Sequence, residues 1–214
     1  MAYSVLVLML RGMNILPIET EHKIKKSEIL KKNIFLKAIE LFAEKGFENV
    51  KITDICESLK ISIGSFYYYY PSKEAVFLEY TAAADDLMDS FVENMVYSSQ
   101  ADRLKQLVMQ KVQMFSSVGQ KMSNTCMTAF LKHKDASSMD IGRRAYVEFE
   151  KALNDGIASG EFRSNIDTKM LTSTLRYIVA GMTMRWVSSN EPFDIDRAMS
   201  EHLDCIIDSI IANK

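Results

Sequence analysis

The chain has 214 residues, 48% hydrophobic, 10% aromatic and 25% charged, with a formal net charge of −2. That profile excludes a disordered, fibrous or disulfide-scaffold chain, and the length is enough to bury a sizeable core. A charge so close to neutral announces neither a nucleic-acid nor a membrane partner.

The punctuation is more informative. Pro occurs only at 17, 71 and 192, so residues 72–191 contain none. A stretch of that kind favours long helices, because Pro is the strongest helix breaker. Cys56, Cys126 and Cys205 are far apart with no CxxC spacing. Neither a disulfide framework nor a zinc site is expected, and a reducing cytoplasm is the simplest setting. The apolar run 5–10 is too short to span a bilayer and lacks the flanks of a signal peptide. Residues 1–22 read as an N-terminal extension, disordered or, with Met13 as the working start, partly untranslated.

The first strongly periodic segment is 28–45, where Ile29, Ile34, Phe35, Ala38, Leu41 and Phe42 recur at helical spacing and Gly46 sits at the C-cap. A short helix follows, with Thr53 as its N-cap and Ile55, Cys56 and Leu59 on one face. Ser62 caps a second short helix carrying Phe66 and Tyr67, and Pro71 ends it. Ser72 then caps a long helix. Further helices are predicted near 102–118, 122–134, 139–159, 167–189 and 195–212. Strand signals are weak throughout. The fold class is all-α, with domains at 23–71 and 72–214.

Two short helices around a turn at 59–61 have the length pattern of a helix-turn-helix, whose second helix fits the major groove. Four of the nine tyrosines lie at 67–70. So short a helix does not need four for packing, so some hydroxyls face outward toward phosphate oxygens or base edges. The string Ile61-Ser62-Ile63-Gly64-Ser65-Phe66-Tyr67-Tyr68-Tyr69-Tyr70-Pro71-Ser72-Lys73-Glu74 resembles the signature of TetR-type transcriptional regulators. Upstream, Ile39, Leu41-Phe42, Gly46-Phe47 and Thr53-Asp54-Ile55 fit the same pattern. The chain departs from it at Leu59-Lys60, where the family carries Ala-Gly, and at Ile63, where Lys or Arg is common.

Residue roles follow from chemistry and resemblance together. Ser65 and Tyr68 are the candidates for base-edge contact, and Tyr67 and Tyr69 for phosphate or mixed contact. Gly64 allows either close approach of backbone to DNA or close helix packing. Lys73 is expected to clamp a phosphate. Thr53 serves as a cap, a phosphate contact, or both. Lys60 either adopts a left-handed conformation at a cost of roughly 1–2 kcal/mol or sits in a different turn and reaches a phosphate. Ser62 and Ile63 complete the candidate DNA-binding set, with Phe66 and Tyr70 assigned to the core. The charge is uneven: residues 1–80 hold 11 basic and 10 acidic residues, and 23–37 hold six lysines (23, 25, 26, 31, 32 and 37) against Glu28 alone. That run is either a solvated helix face or an electrostatic footprint on DNA.

The C-terminal part is expected to sense a small, mostly apolar effector and to dimerise. Seven of the 14 methionines fall between 88 and 139. They are either core or the lining of an adaptable pocket. The pocket candidates are Met88, Phe91, Met95, Met109, Met114, Phe115, Cys126, Met127, Phe130, Tyr177 and Trp186. The stripes Leu171, Leu175, Ile178, Met182 and Met199, Leu203, Ile206, Ile210 are either core or, as the resemblance implies, a four-helix dimer interface. A homodimer on a palindromic operator, released by a small molecule, is the expected mode of action, with repression as what the resemblance implies. No catalytic motif accompanies His22, His133 or His202, so no enzyme, metal or cofactor is expected. The alternative is a helical interaction protein without DNA binding.

Overall fold

The computed structural model describes residues 26–132, 143–191 and 193–212. The expectations placed on residues 1–22, Lys23, Lys25 and His133, and on the side chain of Phe130, fall outside what is described. Among the described residues the regular elements are helical. They are α1 (Lys26–Lys45), a 3-10 turn (Phe47–Asn49), α2 (Ile52–Leu59), α3 (Ile63–Tyr69) and α4 (Lys73–Asn94), followed by α5 (Gln100–Ser116), α6 (Gly119–Lys132), α7 (Arg143–Ala158), α8 (Thr168–Ser188) and α9 (Ile195–Ile210). No helix among them is long and apolar enough to cross a membrane. The chain divides into two compact units at Leu87/Met88, and α6 joins the first. The sequence placed its boundary at 71 instead.

The first unit is built on α1, which buries Ile34, Phe35, Ala38, Ile39, Leu41 and Phe42 along one face. Gly46 ends the helix at φ +83°, donating its N–H to Phe42 O at 2.9 Å. An L side chain would strain that conformation. The 3-10 turn then brings Phe47 edge-on to Phe42, with ring centroids 4.9 Å apart, and 5.6 Å from Phe77 of α4. From α6, Lys121 donates to Glu44 O (2.6 Å) and Thr125 Oγ1 accepts from Phe47 N (3.4 Å). Tyr80 and Cys126 are buried in this unit, and burial pushes the Cys126 thiol up to about 12. Its thiolate is therefore scarce at neutral pH.

The second unit packs α5 against α7 and α9, with α8 beside them. Leu104, Leu107, Val108 and Val112 meet Ala145, Phe149, Ala152 and Leu153 in its interior. Arg103 is buried there with two acidic partners, Glu148 at 2.6 Å and Asp155 at 2.9 Å. A clasp closes the unit. Phe162 lies so close over Gly156 that a Cβ there would come within 2.1 Å of its ring. Arg163 N donates to Ile210 O and Ala212 N to Glu161 O, at 2.9 and 3.0 Å. The Glu161 carboxylate in turn accepts the N–H groups of Gln100 and Ala101, both at 2.8 Å, capping α5.

Two sequence expectations are corrected here. Leu175, Met199, Leu203 and Ile210, assigned to a dimer interface, are all buried inside the second unit. The apolar stripes of α8 and α9 are wide because they make the subunit's own core, which leaves Leu171, Ile178, Met182 and Ile206 half-buried at its margin. Tyr177, assigned to the effector pocket, stands 74% exposed on the opposite face of α8. Of the other pocket candidates, Met88, Met114 and Trp186 are buried and Phe91, Met95, Met109 and Phe115 half-buried in the second unit. Cys126 and Met127 belong to the first.

Candidate nucleic-acid interface

The site is built on α2 and α3. Asp54 accepts the backbone N–H of Lys51 at 2.9 Å, which makes Lys51 the N-cap of α2. Thr53 lies inside that first turn, exposed, and is not the cap the sequence suggested. A carboxylate three residues into a helix satisfies an otherwise orphaned N–H, which explains the shifted start.

At the far end of α2, Lys60 N donates to Glu57 O (3.2 Å) and Ile61 N to Cys56 O (3.0 Å). This is a Schellman pair, and it requires a left-handed residue between helix and exit. Lys60 supplies it at φ 55°, ψ 44°, and no other non-glycine residue among those described has positive φ. The side chain is exposed and the conformation costs about 1 kcal/mol relative to Gly.

Ser62 caps α3 as expected. Its Oγ accepts from Ser65 N at 3.0 Å and shares a 2.8 Å hydrogen bond with Ser65 Oγ. Phe66, fully buried, and Tyr70, 3% exposed, anchor the helix. The Tyr70 hydroxyl donates to Glu79 of α4 (3.2 Å), and Glu79 also pairs with Lys31 of α1 (2.8 Å). Burial first, then the Glu79 carboxylate, raises the Tyr70 phenol above its usual range, keeping it a donor. Sequence reasoning missed this three-helix tie, because its members lie 9 and 48 residues apart.

With Phe66 and Tyr70 facing inward, α3 exposes Gly64, Tyr67 and Tyr68 on its other side and Ile63 at its first residue. A Cβ at Gly64 would meet only Ser62 Oγ, at an ordinary 3.8 Å. The fold itself therefore does not need glycine there, which removes the packing explanation. Ser65 and Tyr69 flank the face half-buried, with the Tyr69 ring edge-on to Tyr68 at 4.9 Å.

Lys73 departs from its expected role as a phosphate clamp. Its ammonium donates to Phe47 O (2.8 Å) and Val50 O (3.1 Å) and lies 4.3 Å from the Phe47 ring centroid. Lys73 thus adds a second hydrogen bond to the Phe47 carbonyl, which already accepts Val50 N (3.3 Å), and reaches the Val50 carbonyl beside it, so its role is one of fixing the turn before α2. The lysine run is also partly spent. Lys31 pairs with Glu79 and Lys37 with Glu40, while partial burial lowers the Lys32 ammonium from its usual range.

The family model described as "Bacterial regulatory proteins, tetR family" matches residues 34–80, the span of this site. Among curated relatives, the uncharacterized HTH-type transcriptional regulator YuxN of Bacillus subtilis is 49% identical over 41 residues, 19% of this chain and 14% of its own length. The HTH-type transcriptional repressor KstR2 of Rhodococcus jostii is 26% identical over 184 residues, covering 81% of this chain and 87% of that protein. Among solved structures, a transcriptional regulator from Saccharomonospora viridis, in complex with choline, superposes with a TM-score of 0.70. It is 22% identical and the match covers 86% of this chain and 99% of that one.

Proposed function

The chain belongs to the tetR family of bacterial regulatory proteins, and from that membership we propose that it binds a palindromic operator as a homodimer and is released by a small effector. The observation that carries the DNA reading is the outward face of α3, where Gly64 is exposed with no tight neighbour and Tyr67 and Tyr68 are 52% and 80% exposed. A helix presenting its bare backbone between two projecting phenols suits entry into the major groove. Thr53, Lys60, Ser62, Ile63, Ser65 and Tyr69 surround that contact.

Gly64→Leu tests it. The added Cβ meets only Ser62 Oγ, at an ordinary 3.8 Å, and helix propensity favours Leu by up to about 0.8 kcal/mol over Gly. The melting temperature should hold or rise while operator affinity, measured by fluorescence anisotropy, drops more than tenfold. Unchanged affinity would sink the proposed docking mode.

The dimer surface we favour is the outer face of α8, where Met170, Thr174, Tyr177, Gly181, Met184 and Ser188 recur at alternating steps of four and three. Met170, Tyr177 and Met184 are 67%, 74% and 49% exposed. Large apolar side chains at such spacing on an exposed helix suit a second helix against them. Tyr177→Asp should convert the dimer to monomer in sedimentation velocity at micromolar concentration. A dimer of unaltered stability would place the interface elsewhere.

For the effector, the second unit offers Met88, Met114 and Trp186 as apolar surroundings. The buried hydroxyls of Thr172 and Thr183 have no hydrogen-bond partner. This supports a mostly apolar molecule with one or two polar groups. The Saccharomonospora regulator, which holds choline, is compatible with a small organic effector. Release requires that the effector bind the DNA-free conformation more tightly. An effector that binds without changing operator affinity would contradict the switch.

A further inference from the structure

The outward face of α3 bears on which DNA sequence is read. The exposed side chains of α3 are Ile63 at its N-terminal end and Tyr67 and Tyr68, at 48%, 52% and 80% exposure, and the span 62–70 contains no Arg, Lys, Asn or Gln. The two-pronged contacts that identify guanine through O6 and N7, or adenine through N6 and N7, come from those four residue types. The serine hydroxyls are no substitute as they stand, because Ser62 and Ser65 hydrogen-bond each other at 2.8 Å and Ser62 also accepts from Ser65 N. Each phenol carries a single hydroxyl, suited to a phosphate oxygen or one acceptor but not to a paired donor–acceptor pattern. What the face does offer is an aliphatic side chain, one helical turn before Tyr67 and adjacent to the open backbone of Gly64.

In the major groove only thymine presents an apolar group, its C5 methyl. Resting on the DNA-binding reading above, we propose that the operator half-site carries thymine opposite Ile63 and is read there by methyl contact rather than by hydrogen bonds. An exposed Ile on a face designed for phosphates alone would gain nothing from its four carbons. Against a thymine methyl it loses water on both sides, an ordinary hydrophobic contact. The remaining selectivity comes from A·T steps that let the duplex conform to a short helix lacking long reading side chains.

The experiment begins with selection of binding sites from random duplex DNA by the full-length protein. A·T-rich half-sites with at least one fixed T are expected. Each fixed T is then replaced by deoxyuridine, which deletes the methyl and leaves every hydrogen-bonding group in place. One position should lose about fourfold in affinity, the worth of burying a single methyl-sized group. In Ile63→Ala the T and U duplexes should bind equally at that position. Fixed G·C pairs beneath α3, or a uracil penalty that survives Ile63→Ala, would overturn this inference while leaving DNA binding intact. Failure to enrich any duplex would overturn the DNA-binding reading itself, and this inference with it.

Discussion

Arg103→Ala should destabilise the second unit by about 3–5 kcal/mol. Arg103 is 5% exposed and its guanidinium holds Glu148 at 2.6 Å and Asp155 at 2.9 Å. The two partners are not equivalent. The Asp155 side chain is 45% exposed, so water replaces most of what it loses, whereas Glu148 is only 14% exposed. The cost is therefore that of leaving the Glu148 carboxylate buried without a cation. The double variant Arg103→Met with Glu148→Leu removes both charges and should recover most of the loss, since matched apolar groups can replace a buried pair. Trp186, the sole tryptophan and buried in the same unit, gives the readout through its fluorescence during urea unfolding. A loss below 1 kcal/mol in Arg103→Ala would mean that the pair is screened like a surface bridge.

Phe66→Ala is the second large effect, at about 3–5 kcal/mol for a fully buried aromatic ring. α3 spans only Ile63–Tyr69, too short to persist on propensity. Its orientation depends on Phe66, on Tyr70 tied to Glu79, and on the Ser62 cap. Deleting the ring should reduce operator affinity by more than any single substitution on the outward face, with a matching fall in thermal stability by circular dichroism. Phe66→Leu, which keeps most of the volume, should restore binding. If Phe66→Ala retained wild-type stability, the ring would not be the anchor of the reading helix.

The two variants also separate readily from Gly64→Leu. One class loses binding because α3 is no longer held, the other because α3 no longer fits its partner.

Local chemistry made much of this legible in advance. Ser62, Gly46 and Pro71 act within a few residues of themselves, so their caps and stops follow from composition alone. The left-handed Lys60 is one of two readings the sequence leaves open, and the structure has it at φ 55°. Thr53 misled because a favoured capping residue was outcompeted by Asp54 reaching back to Lys51 N. Lys73 misled for a longer-range reason: its carbonyl partners lie 23 and 26 residues earlier. The stripes of α8 and α9 were recognised as apolar, but periodicity does not say which of two apolar neighbours a stripe meets. The 170–174–177–181–184–188 pattern carries a weaker signal, because Thr, Gly and Ser dilute it.

The clasp around Glu161 bears on the order in which the chain acquires its shape during synthesis. Its hydrogen bonds join 100–101 to 161 and 161–163 to 210–212. Contacts spanning some 50–60 residues form late, since the entropy of closing their loops is lost before the contacts are gained. α1 to α3, by contrast, lie within 26–69 and can begin to associate as soon as they emerge. A ribosome paused before residue 210 would thus expose a reading head whose helices have already met, attached to a second unit still open at the ring of Phe162.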